Sequence, residues 1–231
     1  LYGLVVMLIK IIEDLKPDYI VACYDLPGPT YRHEAYKDYK AQRKSMDDAL
    51  ATQINRSRDI FKVFNIPIYD RPGFEADDML GTISEIAKKD KDIEIIIASG
   101  DMDTMQLITG EKVKVYTLKK GIKDTILYDE KAVLERFGFG PDLLPDYKGL
   151  RGDPSDNIIG IKGIGEKTAS TLISNFGTIE EIYKKLAKDK KDDYKAFKKI
   201  GITDRIIKLL EEGKEEADFS KMLATIRRDA P

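Results

Sequence analysis

Short apolar runs rich in β-branched residues alternate with helical stretches through the first half of the chain. YIVACYD (19–25), IPIY (66–69) and IEIIIAS (93–99) are too short for buried helices and read as buried strands. KVKVYTL (112–118) alternates and reads as a further strand. Residues 4–15 read as a buried helix stopped by Lys16-Pro17, and residues 47–64 as a helix with Leu50, Ile54, Ile60, Phe61 and Phe64 inward. RPGFEADD leads into a third helix through Met79, Leu80, Ile83, Ile86 and Ala87. This βαβ rhythm predicts an α/β fold with a mainly parallel, doubly wound sheet flanked by helices. After about residue 128 the texture changes to helices and Gly-containing turns. The expected domains are therefore 1–128, α/β, and 129–231, all-α.

Composition narrows the function. A length of 231 residues allows one large or two small domains, and 42% hydrophobic residues suffice for a core. A net charge of −2 excludes a uniformly basic nucleic-acid binder but not segregated acidic and basic regions. One cysteine, Cys23, excludes a disulfide framework and a Cys-based zinc site. One histidine, His33, argues against a His-dependent triad. No apolar run reaches the roughly 18 residues of a membrane span. The opening LYGLVVMLIKII has neither a basic leader nor a small-residue cleavage site, so it does not read as a signal peptide. The chain reads as starting inside a helix, and a cytoplasmic location is expected. Nothing demands more than a monomer.

Acids gather where open α/β sheets bind ligands, outside the carboxyl ends of the strands. Asp25 ends the first strand, and Asp101 and Asp103 follow the strand 93–99. Asp101 and Asp103, two apart in an extended segment, can converge. Glu75, Asp77 and Asp78 open a helix, where Glu75 and Asp78 share a face. Asp153 and Asp156 lie in RGDPSDN, a Gly/Pro-interrupted loop. An oxygen-only donor set of this size suits Mg²⁺ or Mn²⁺, and two such ions could serve in-line phosphoryl displacement. Acids at helix starts also complement the helix dipole, which is the plainer reading of EADD alone.

Two basic segments accompany the acids. YRHEAYKDYKAQRK (31–44) carries Arg32, Lys37, Lys40, Arg43 and Lys44 among Tyr31, Tyr36 and Tyr39. Tyr36, Lys40 and Arg43 fall at helical spacing, which would offer one face to phosphates and unpaired bases. GIKGIGEKTA (160–169) reads as a helix-hairpin-helix. Gly163 and Gly165 permit a tight turn and close backbone approach, and the next helix start presents free N–H groups to a DNA phosphate. Lys162, Lys167 and Thr168 lie in the same element.

Taken together, YDLPGPTYRHEAYKDYKAQR (24–43), GFEADDMLGT (73–82), ASGDMDTMQL (98–107), LRGDPSDNIIGIKGIGEKTA (150–169) and LATIRRD (223–229) resemble the 5′-nuclease (flap endonuclease) family. The resemblance is strongest to the 5′→3′ exonuclease domain of bacterial DNA polymerase I. It implies a PIN-like nuclease domain followed by a helical DNA-binding domain with the hairpin. It implies hydrolysis of DNA at 5′ ends, flaps and junctions with two divalent ions, Mg²⁺ or Mn²⁺. By position it implies metal ligation by Asp25, Glu75, Asp77, Asp78, Asp101, Asp103, Asp153 and Asp156. Of these, Asp25, Glu75, Asp77, Asp101 and Asp103 join Lys40 and Arg43 as the catalytic set. DNA contact is implied for Arg32, Tyr36, Lys40, Arg43, Lys162, Gly163, Gly165, Lys167 and Thr168. Arg32 and His33 match an FRHE element with a role nearer structure and phosphate contact. The family opens on a strand with an Asp-Gly pair, and this sequence begins after it, so metal binding and sheet pairing are expected to depend on that strand. A polymerase domain on the same full-length chain is a further implied partner.

Two other readings stay open on the residues alone. One is a non-catalytic module that binds DNA junctions, which would bind flaps without turnover. The other is an α/β phosphatase or phosphotransferase built on Asp101-x-Asp103, which leaves the hairpin and the basic segment unexplained.

Overall fold

The computed structural model describes residues 1–43, 46–120 and 124–231. Lys44, one of the basic residues singled out above, lies outside the described residues. In chain order the elements are α1 (Tyr2–Leu15), β1 (Ala22–Cys23), α2 (Tyr31–Ala35), α3 (Asp48–Val63), β2 (Ile68–Tyr69), α4 (Ala76–Ala87) and β3 (Ile95–Ala98). A 3₁₀ helix, Met102–Leu107, follows β3. Then come β4 (Val113–Lys120), β5 (Asp124–Tyr128), α5 (Glu130–Phe137), α6 (Leu144–Arg151), α7 (Glu166–Phe176), α8 (Ile179–Asp189), α9 (Lys195–Lys199), α10 (Asp204–Glu212) and α11 (Lys214–Ala224). No helix among the described residues is long and apolar enough to cross a membrane.

The sheet departs from the expected single doubly wound sheet. Among the described residues strand β1 pairs with β2 alone, in parallel, through Ala22↔Ile68 and Cys23↔Tyr69. Strand β3 pairs in parallel with β4, and β4 runs antiparallel to β5, a strand the pattern reading did not foresee. The α/β class holds, with parallel and mixed sheets flanked by helices. Helix α4 contacts both β1 and β3 and so joins the two sheets.

The core is divided unequally. The main cluster runs from Ile97, Val113 and Val115 of the larger sheet through Val133, Tyr147 and Leu150 to Leu172, Ile179 and Leu210. It therefore crosses residue 128 without a break. A separate small cluster joins Leu8, Ala22 and Ile66. It is too small to bury the helices around it. In α1, expected to be buried, only Leu8 is fully so. In α3, Leu50 is 50% and Ile54 38% exposed, and Phe64 just beyond it is 41% exposed, against the inward placement expected. Ile60 and Phe61 do pack on the small cluster.

The expected helical face of Tyr36, Lys40 and Arg43 does not form. Helix α2 ends at Ala35, Tyr36 is extended, and residues 37–43 run as turns. Lys40 adopts a left-handed φ of 55°. Its backbone N–H donates to the Asp156 carbonyl at 3.0 Å, which fixes this segment over the acidic loop.

Candidate active site

Helix α4 begins where Glu75 caps it. Asp25, just past β1, accepts from the Ala76 N–H at 2.8 Å. This ties the end of the first strand to the first turn of the helix and brings Asp25 beside Asp77. On the other side, Asp101 caps the 3₁₀ helix after β3 and accepts from the Asp103 N–H at 2.9 Å. Burial and then the charges of Asp101, Asp103, Asp25 and Glu75 push the Asp77 carboxyl up to about 7. The charges of both strand ends thus act on Asp77. Among the described residues, no three His, Cys, Asp or Glu side chains form a ready-made metal cage. The donor set is nonetheless hard oxygen with excess negative charge, which fits an ion such as Mg²⁺ that retains several waters.

Neighbouring acids meet internal cations. Lys148 of α6 bonds to both Asp103 and Asp153. Burial, aided by the charges of Asp101 and Asp153, raises the Asp103 carboxyl against the pull of Lys148. At Asp153 burial also acts upward, but Lys148 and the donors of Ser155 outweigh it and hold the group down to about 2. The Asp153 loop is pinched shut by a bridge between Asp153 and Ile158. A Cβ on Gly160, at φ 63°, would sit 2.1 Å from the Gly152 nitrogen, so only glycine fits there.

A second neutralised group lies at Glu75 and Asp156. Lys40 Nζ is 3.0 Å from Glu75 Oε2 and 3.7 Å from Asp156 Oδ2. Arg43 Nη2 reaches Asp156 Oδ1 at 2.5 Å. The Tyr39 hydroxyl lies 3.2 Å from both Glu75 Oε2 and Asp156 Oδ2 and can donate to either. Burial first, then these two carboxylates, raise the Tyr39 phenol far above its ordinary value.

Asp78 differs from the rest of the acidic set. It is fully buried, and its two oxygens accept from Arg32 Nη1 and Nη2, each at 2.8 Å. They also accept from the backbone N–H groups of Glu75 and Arg227. Its lone pairs are spent inside the protein, so it stands apart from the open cluster. Arg32 corrects a sequence expectation in the same way. It is 3% exposed and turned inward, out of reach of DNA. His33 Nδ1 lies 2.9 Å from the Thr30 hydroxyl and caps α2. Tyr36 packs edge-on against Phe219 at 5.8 Å.

The hairpin forms between α6 and α7. Ile161 and Ile164 are buried as its anchors, and Gly163 turns at φ 97°. Gly165 caps the 11-residue α7 with no side chain to occupy the first N–H groups. Lys162, Gly163, Gly165 and Lys167 are exposed, and Thr168 is half-buried.

Sequence comparison decides the family. Residues 1–138 match the 5′-3′ exonuclease N-terminal resolvase-like domain, and residues 139–231 match the 5′-3′ exonuclease C-terminal SAM fold. The chain belongs to the 5′-3′ exonuclease family. The DNA polymerase I of Caldicellulosiruptor bescii is 41% identical over the whole chain, which covers 26% of that protein. The DNA polymerase I of Bacillus subtilis strain 168 is 37% identical, again over the whole chain and 24% of the relative. The chain thus spans about a quarter of the length of these curated relatives. Among solved structures, the bacteriophage T5 5′-exonuclease with bound zinc superimposes with a TM-score of 0.75 at 22% identity, over 95% of this chain and 79% of that one. A bacteriophage T5 flap endonuclease pseudo-enzyme-product complex with DNA and metal ions gives 0.72 at 21% identity, over 93% and 76%. These two likenesses concern the fold.

Two residues of the candidate site escaped the sequence reading. Lys148 is one; its only sequence signal is its place five residues before Asp153, in a helix that leads straight into the acidic loop. Tyr39 is the other, noted only as an interleaved aromatic, although it is 3% exposed and touches two acids.

Proposed function

We propose that the exonuclease chain hydrolyses DNA phosphodiesters at 5′ ends and 5′ flaps with the help of two divalent cations, Mg²⁺ or Mn²⁺. What supports this is the bond from the Ala76 N–H to Asp25 at 2.8 Å, which ties the end of β1 to the start of α4, together with the acidic surroundings and burial that push the Asp77 carboxyl up to about 7. Divalent ions held by Asp25, Asp77, Asp101 and Asp103, with Glu75, Asp153 and Asp156 nearby, would supply Lewis-acid chemistry for phosphodiester hydrolysis. Asp78 is left out of this set because its oxygens are already taken. Lys40 and Arg43, now on Glu75 and Asp156, are placed to exchange those carboxylates for the phosphates of an incoming 5′ strand. The uncapped start of α7, with Lys162 and Lys167, would hold a phosphate of the duplex behind the junction. Contacts of this kind bind the backbone and predict little sequence preference.

A non-catalytic junction-binding module is the second reading, favoured by the lack of a ready-made metal cage among the described residues. A 5′-labelled flap duplex incubated with Mg²⁺, with Mn²⁺ and with EDTA separates the two. Release of short 5′ products that needs either metal supports the nuclease. Retention of the flap on the protein without cleavage in any of the three supports the binding module.

A further inference from the structure

The last residues of the chain lie across both acid-bearing turns. Leu223, Ala224 and Ile226 are each 5% exposed or less, and the backbone from 223 to 230 is held by side chains from three elements. From the α2–α4 side, Arg32 Nε donates to the Leu223 carbonyl at 2.9 Å and Nη2 donates to the Thr225 carbonyl at 2.8 Å. Asp78 accepts from the Arg227 N–H at 2.9 Å, and the Thr82 hydroxyl accepts from the Ala230 N–H at 3.0 Å. From the 3₁₀ helix, Gln106 Nε2 donates to the Ala224 carbonyl at 3.1 Å and Oε1 accepts from the Ile226 N–H at 2.9 Å. Arg228 Nη2 closes the loop by donating to the Gln106 carbonyl at 2.8 Å.

The placement matters because of what each element carries at its start. Helix α4 begins with Glu75 and Asp77, and Asp78 sits in the same turn. The 3₁₀ helix begins at Asp101 and Asp103, with Gln106 one turn later. Arg32 Nη1 also approaches Glu75 Oε2 at 3.5 Å. A Cβ on Gly81 of α4 would meet the Arg227 carbonyl at 2.5 Å, so the segment lies directly on the helix backbone. The Arg32 guanidinium makes four hydrogen bonds, two to Asp78 of α4 and two to carbonyls of this segment, an arrangement that an ammonium could not reproduce.

We propose that residues 223–230 form a strap that sets the spacing between the Glu75/Asp77 turn and the Asp101/Asp103 turn, with Arg32, Thr82 and Gln106 as its positioning residues. The inference rests on the cation-site reading above. Groups bonded directly to metal ligands commonly govern affinity by roughly 10- to 100-fold; Gln106 and Thr82 act one step further out, through the strap, so the lower end of that range is expected in metal binding itself.

The test measures Mn²⁺ affinity by the electron paramagnetic resonance signal of free Mn²⁺, and flap kcat and KM in parallel. Gln106→Ala removes both of its strap bonds, and is expected to weaken Mn²⁺ about tenfold. Its kcat should fall while its KM for flap stays within about twofold, because the DNA-facing residues are untouched. Thr82→Val should shift Mn²⁺ affinity in the same direction by a smaller factor, and Thr82→Ser should restore it. The Thr82 pair decides the matter if Gln106→Ala does not fold. Unchanged Mn²⁺ affinity in a folded Gln106→Ala protein, or equal weakening by Thr82→Ser and Thr82→Val, overturns the strap. A wild-type chain that binds no Mn²⁺ overturns the cation-site reading, and the strap with it.

Discussion

Asp77 and Asp78 are adjacent on the first turn of α4, yet they live in opposite surroundings. Asp78 is fully buried and meets a guanidinium and two backbone N–H groups. Asp77 is half-buried, and burial and the charges of Asp101, Asp103, Asp25 and Glu75 push its carboxyl up. Burying a charge is tolerated when it is paired and hydrogen-bonded, and is resisted otherwise. The contrast separates an acid whose charge is met inside the protein from one whose charge is not, and the latter belongs to the proposed cation site. Asp103, Asp153, Glu75 and Asp156 stand between these extremes, each beside a lysine or arginine.

The sharpest way to break the comparison is to remove an acid from each class. Asp101→Asn should lower flap cleavage by at least about 10²–10³-fold, the scale of losing one transition-state-stabilising group. Flap affinity should hold or rise, since a negative charge near phosphates is gone. Gel-shift and single-turnover cleavage on one substrate read both, and unchanged turnover removes Asp101 from the site. Asp78→Ala should instead destabilise the fold by about 3 kcal/mol, because buried Arg32 loses its bidentate partner and keeps only the 3.5 Å approach to Glu75 to offset its charge. Urea unfolding measures that loss, and a value near zero would mean that the pair is not structural.

Asp77→Asn should do the reverse in metal-free buffer and stabilise the fold by about 1 kcal/mol at pH 8, once the other carboxylates no longer confront a charge. The sign follows from the raised carboxyl. Its folded state holds a proton more tightly, so the wild-type stability is complete below the ordinary 3.8 and declines as pH climbs towards about 7. Asp103 adds to that decline. Asp153 works the other way, with stability present above 3.8 and lost as pH falls towards 2. Thermal melts in EDTA across pH 3–8 should show both limbs, and Asp77→Asn should flatten only the upper one. The smallest effect belongs to the hairpin. Replacing Lys162 and Lys167 by alanine should weaken duplex binding and reduce its logarithmic salt slope by about one per lysine. An unaltered slope would detach the hairpin from DNA.

Much of the cluster was legible because strand ends and helix starts are local signals. Asp25, Asp101 and Asp103 follow apolar runs, and Glu75 and Asp77 open a helix after Pro72-Gly73. The family resemblance rested on the same strings and holds over the whole chain. What escaped was pairing across sequence distance. Arg32 read as a surface cation because its partners are 46 residues away at Asp78 and over 190 away at Leu223 and Thr225. Lys148 and Tyr39 escaped for the same reason. Tyr36, Lys40 and Arg43 have helical spacing, but the capped turn at α2 stops at Ala35, and Lys40 bonds to the acidic loop instead. The inward reading of Leu50 and Ile54 assumed a core on both sides of α3, where the structure has only the small cluster around Leu8, Ala22 and Ile66.

The most direct test is a ¹³C NMR titration of the Asp77 carboxyl, assigned by its loss in Asp77→Asn, in EDTA and again with saturating Mg²⁺. In EDTA the group should titrate near 7, and Mg²⁺ should drive it ionised throughout the accessible range. A carboxyl that titrates near the ordinary 3.8 without metal, and that Mg²⁺ does not move, would contradict the assignment of this cluster as a cation site.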